Sequence, residues 1–165
     1  MSTVESSDPG LYFRLVDSLY VDAMVMADEA RSYFDRHGAE ARGDLDMISR
    51  LSFTCESLKV TTRLMHVIAW LLTQKAWQRG EIKAEALTDS KYRLGQASPT
   101  NPEVAAAMPL YARHLVEGSQ SLYDRVARLQ ERAFAKGPRP DRATRARVDN
   151  GSPARDLIGR LEDAF

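Results

Sequence analysis

At 165 residues the chain has enough length for one domain with a real core, and 44% hydrophobic with 28% charged residues is an ordinary globular balance. Lys+Arg and Asp+Glu stand at 23 each, so the net charge is zero, which counts against a general nucleic-acid binder. One cysteine, Cys55, excludes an internal disulfide and fits a reducing compartment.

The N-terminus, MSTVESSDPG, lacks the positive start and apolar run of a secretion signal. The most apolar stretch, around Leu64 to Leu72, is too short to span a bilayer. The expectation is a cytoplasmic protein with no membrane partner.

Three segments carry helical periodicity. The first begins near Asp8-Pro9, where Asp8 can cap and Pro9 suits a first turn. Tyr12, Val16, Leu19, Ala23, Met26, Ala30 and Tyr33 follow at steps of four and three, and Gly38 is a reasonable stop. The second runs from about Asp44 to Gly80 with no glycine or proline inside it. Ile48, Leu51, Cys55, Leu58, Thr62, Met65, Ala69, Leu72 and Ala76 form its regular stripe, expected to face the core. Fully helical, it is on the order of 50 Å long and needs packed partners. Lys83 to Leu87 can form one short helix. Ala97 to Pro102 reads as loop, and Asn101-Pro102 opens the third segment, with Val104, Met108, Tyr111, Leu115, Gly118, Leu122, Leu129 and Ala133. Pro109 predicts a kink there, or a break between a short helix and a long one. The fold expected is all-α: an antiparallel three-helix bundle over residues 1–135 with a long central helix. Residues 136–165 are expected to be a flexible tail. Near its end, Leu157, Ile158, Leu161 and Phe165 share one helical face and are candidates for docking a partner.

The central helix is apolar on a second side as well. Phe53, Val60, Leu64, Val67, Ile68 and Leu71 lie roughly opposite the first stripe. Either the flanking helices cover both sides, or a second copy of the chain covers what remains, which makes these six the candidate homodimer face. A third face carries Glu56, Lys59, Arg63, His66, Trp70 and Trp77. It reads either as a solvated face with helical ion pairs or as a partner surface, since Trp and Arg are favoured at interface hot spots.

Nothing points to catalysis. There is no phosphate loop and no HExxH, and the Glu-x-x-His pairs of di-iron bundles are missing. His37, His66 and His114 fall in three different helices and are read as ordinary histidines, so no metal or cofactor is expected. Cys55, placed in the stripe between Leu51 and Leu58, is read as a small core residue and not as a nucleophile. Lys91 to Gly95, KYRLG, is expected to anchor its loop to the bundle. Arg139, Arg142, Arg145 and Arg147 in the tail either belong to a solvated linker or can touch nucleic acid or an acidic partner. A nucleic-acid-associated regulator is therefore the alternative reading.

The stretch ESLKVTTRLMHVIAWLLTQKAWQRGEI, residues 56 to 82, resembles the RcdA family, regulators of CtrA degradation in alpha-proteobacteria. Thr61 to Met65 and Ala69 to Leu72 carry the likeness, with Gln74 to Glu81, and KYRLG adds to it. The resemblance implies a non-catalytic adaptor that helps deliver substrates, among them a cell-cycle transcription regulator, to the ClpXP protease. It also implies a response-regulator-like primer as co-partner, and a homodimer.

Overall fold

The computed structural model describes residues 9–136, and all of its regular structure there is helical. Helix α1 spans Pro9–Arg36, α2 is the single turn Gly38–Gly43, and α3 spans Met47–Gln78. Two 3-10 turns, Ala84–Thr88 and Ser90–Tyr92, precede the short helix α4, Pro102–Ala106, and the long α5, Leu110–Lys136. The break between α4 and α5 falls at Pro109, as the missing amide and the fixed φ of proline require.

Local chemistry sets the ends. Asp46, in extended conformation, caps α3 by accepting from the Ser49 amide at 2.7 Å. At the other end Gly80 adopts φ 76°, its amide donates to the Trp77 carbonyl, and the Glu81 amide donates to the Ala76 carbonyl, both at 2.9 Å. This is the Schellman stop, which glycine makes cheap. Asn101 caps α4 from the Glu103 amide with Pro102 in the first turn.

Side-chain contacts fix the helix directions. Tyr12 donates to Gln74 Oε1 at 2.7 Å, and Phe34 packs edge-on against Phe53, so α1 runs antiparallel to α3. Tyr33 packs at a tilt against Tyr111, and Met26 lies against Gly118, so α1 also runs antiparallel to α5. Consequently α3 and α5 run in the same direction, and the connection between them must travel back along the bundle. The core lies between the three long helices. Val16, Leu19 and Ala23 come from α1, Val60, Leu64, Val67, Trp70 and Leu71 from α3, and Leu115, Val116, Leu122 and Val126 from α5. Each large apolar side chain buried there contributes roughly 1.5–3 kcal/mol relative to exposure.

This core reverses the expected sidedness of the central helix. Phe53, Val60, Leu64, Val67 and Leu71, taken from the sequence as a dimer face, are at most 3% exposed within a single chain. Ile68 is half-buried against the same cluster. These six are core, because α1 and α5 both close on that side. The stripe expected to be core, Leu51 to Leu72, faces outward.

Candidate binding surface

The outward stripe of α3 is a built surface. Leu51 is 66% exposed, Leu58 62%, Met65 66% and Leu72 42%, and Met47 and Ile48 extend it toward the N-terminal end. Between the large residues lie Cys55, Thr62 and Ala69, all exposed, and Ala76, half-buried. Cys55 is therefore a surface thiol and not a core residue. The hydroxyls on and beside the stripe are turned back onto their own helix. Thr54 donates to the Arg50 carbonyl at 3.0 Å, Thr61 to Ser57 at 3.1 Å, Thr62 to Leu58 at 2.9 Å and Thr73 to Ala69 at 3.0 Å. A hydroxyl already bonded in this way needs no solvent partner, so covering the face costs little desolvation.

The charged face of α3 has the opposite character. Glu56, Arg63 and Trp70 are buried, and Lys59, His66 and Trp77 are half-buried. The connection from α3 to α5 lies over Glu56, Lys59, Arg63 and His66, while Trp70 belongs to the core. The Arg63 guanidinium, with no exposed surface, donates to the Ser98 carbonyl at 3.0 Å, to Ser119 Oγ at 3.3 Å and to the Thr100 hydroxyl. Thr100 Oγ1 donates in turn to Glu56 Oε2 at 2.6 Å, and Lys59 Nζ meets Glu56 Oε1 at 2.8 Å. Burial lowers the Arg63 pKa from its ordinary value, while Glu56 and Asp124 act to raise it. Arginine keeps its charge regardless.

The KYRLG segment continues this clamp, in line with the anchoring role expected for it. The Arg93 guanidinium lies 4.7 Å from the Phe134 ring centre, the Leu94 amide donates to Gln130 Oε1 at 2.7 Å, and Tyr123 donates to the Gly95 carbonyl at 2.7 Å. Gly95 lies so close to α3 that a Cβ there would come 2.0 Å from His66 Nδ1. His66 is thus roofed by backbone, and the two-tryptophan face, read from the sequence as either a solvated face or a partner surface, is largely an internal seam. Trp77 completes it at one end, packed against Tyr12 and Phe13. Hydropathy alone cannot reveal such a seam, because its polar residues are satisfied by a loop remote in sequence.

Among the described residues no three His, Cys, Asp or Glu side chains group as a metal site, and no helix is long and apolar enough to cross a membrane. The tail candidates Leu157, Ile158, Leu161 and Phe165 lie outside the described residues.

A helical scaffold in which Glu56, Lys59 and Arg63 serve its own connection, while α3 turns a long apolar stripe outward, presents the kind of surface that a protein partner covers. The comparisons sharpen this. Residues 8–165 match the family described as "Protein of unknown function (DUF1465)", and the chain belongs to that family. It is similar to RcdA from Caulobacter crescentus CB15, whose crystal structure superposes with a TM-score of 0.61 at 29% sequence identity, covering 74% of this chain and 93% of that one. No curated protein matches.

Proposed function

We propose that the chain is a non-catalytic adaptor in regulated proteolysis, a homodimer that brings substrates to the ClpXP protease together with a response-regulator-like primer. The observation that carries the reading is the long apolar stripe of α3, left outward while Glu56, Lys59 and Arg63 of the same helix hold the connection. The likeness to RcdA, in sequence over residues 56 to 82 and in fold, directs it to proteolysis. The described polar groups hold a fold together and form no constellation of nucleophile, base and oxyanion donors. In this reading Leu157, Ile158, Leu161 and Phe165 form a docking peptide, and residues 136–152 tether it, which raises the local concentration of a delivered partner.

Affinity capture with the full chain from lysate tests the proposal, followed by turnover measurements in cells lacking it. Co-purification of the protease subunits and slowed decay of individual ClpXP substrates are expected, with both effects lost on deletion of residues 136–165. Recovery of nucleic acid without protease, and unchanged turnover, would overturn the adaptor reading in favour of the alternative based on Arg139, Arg142, Arg145 and Arg147.

A further inference from the structure

We propose that the furrow between α1 and α5 seats an amphipathic helix of a partner protein, one with two cationic residues two turns apart at its centre and an acidic residue toward each end. The inference rests on the adaptor reading only in that the bundle binds other proteins. It adds a second surface, distinct from the outward stripe of α3, and the kind of partner that fits it.

The furrow follows from how the two helices meet. They run antiparallel and touch through Met26 against Gly118 and Tyr33 against Tyr111. Outside these contacts the α1 wall is Asp22, Val25, Glu29, Ser32 and Arg36, at steps of three, four, three and four. The α5 wall is Tyr111, His114, Gly118, Ser121 and Arg125, at the same steps. Ser32 and Gly118 are half-buried and the others exposed. Two facing walls with this 3.5-residue repeat are what a further helix packs against along its length, as the fourth helix of a four-helix bundle does. The furrow also has room for the side chains of such a helix. One hollow of about 390 Å³ lies over Val25, Met26 and Leu122, and a second of about 520 Å³ lies beside Tyr33 and Tyr111, with Glu29 bordering both. Large apolar side chains on one face of the partner helix fill these two hollows.

The charges decide the occupant. The two contacts set a register in which Arg125 lies about level with residue 19 of α1. Along the furrow the order is then Arg125, Asp22, Glu29, Arg36: positive, negative, negative, positive. Asp22 and Glu29 stand two turns apart, about 10 Å. Among the described residues none of these four side chains has an ion-pair partner, whereas Asp28 at the edge of the furrow is taken by Arg31. Free charges along an apolar furrow select an occupant with the reverse order. The central carboxylates repel a nucleic-acid backbone, and the two arginines repel a uniformly cationic segment. The order reads the same from either end, so charge leaves the direction of the partner helix open. From the level of Arg125 to Arg36 the furrow runs about 25 Å at 1.5 Å per residue. A single helix there covers less than the roughly 800 Å² per partner of a standard interface, so a dissociation constant in the micromolar range is expected.

Two labelled peptides of about 18 residues test the proposal, alike in length, leucine seam and zero net charge. The first carries lysines two turns apart at its centre and glutamates toward its ends. In the second the lysines and glutamates are exchanged. Fluorescence anisotropy with the full chain should show micromolar binding of the first and binding of the second at least tenfold weaker. Ser121→Phe fills the furrow from an exposed position, and Asp22→Lys/Glu29→Lys reverses two exposed charges. Each should weaken the first peptide at least tenfold with unchanged circular dichroism and thermal melting. Equal binding of the two peptides would overturn the charge assignment. Binding that survives Ser121→Phe, or no binding at millimolar peptide, would overturn the furrow as a docking site. Loss of self-association in Ser121→Phe would give the furrow to a second copy and overturn the separate partner. Protease capture decides the adaptor role by itself, whichever way the peptides behave.

Discussion

Replacing Arg63 by methionine isolates what the buried clamp contributes. Methionine fills most of the volume of the arginine stem, so the cavity term is small. What goes is the set of donors to Ser98, Thr100 and Ser119. Ser119 keeps its own bond to the Val116 carbonyl, and Glu56 keeps Lys59 and Thr100, so neither is orphaned. The loss falls on the Ser98 carbonyl and the Thr100 hydroxyl, two bonds to a charged donor at roughly 1.5 kcal/mol each. Relief of the desolvation of the guanidinium offsets part of this. The net expectation is about 2–3 kcal/mol, which for a chain of this size lowers Tm by roughly 5–10 °C. The loss has a location as well. With the clamp opened, the Leu94 amide, bonded to Gln130, should exchange its hydrogen much faster while core amides of α3 follow only the global change. Thermal melts read the first quantity and hydrogen exchange the second. A Tm within about 2 °C of wild type together with unchanged exchange at Leu94 would refute the idea that Arg63 holds the connection down.

Gly95→Ala should destabilise by roughly 1–3 kcal/mol, because the new Cβ would meet the His66 ring. The double variant Gly95→Ala/His66→Ala should regain part of that stability in denaturant titration, since shortening His66 vacates the space. Tyr12 gives a pH signature. Burial pushes its phenol from 10.0 up to about 12, so the folded state holds the proton more tightly than the unfolded chain. Its contribution is complete below pH 10 and is lost as the pH rises toward 12. Urea unfolding on either side of pH 10 should show that Tyr12→Phe is less stable at neutral pH, by about 1 kcal/mol for the lost bond to Gln74, and flatter in its alkaline decline.

The long helices were legible because the evidence for them is local. An uninterrupted 3-4 pattern, a capping aspartate and a terminal Gly-Glu mark α3 within the segment itself, and Pro109 marks the break before α5. The start of α3 lies at Met47 and not near Asp44, because Asp46 is the residue whose carboxylate reaches the amide three residues on. The path of residues 79–109 was not legible. It depends on bonds such as Tyr123 to Gly95 and Arg63 to Ser98, between groups 28 and 35 positions apart, which no window of neighbours contains.

The sidedness of α3 failed for a different reason. Periodicity tells which residues share a face and not which face turns inward, and this helix is apolar on two. The inner face carries large β-branched and aromatic side chains, Phe53, Val60 and Val67 among them, together with Glu56, Arg63 and Gln74, all buried. Counting charged residues as outward therefore pushes the wrong side to the surface. The outer face holds no charge at all from Leu51 to Ala76, which ordinarily signals burial. Here the apolar stripe stays exposed, Leu51, Leu58, Met65 and Leu72 included. The cue that separates the two stripes is regularity of size. A core shared by α1 and α5 accepts an irregular mixture, because two unlike helices fit around it. The outer stripe instead alternates large and small residues at every step from Leu51 to Ala76.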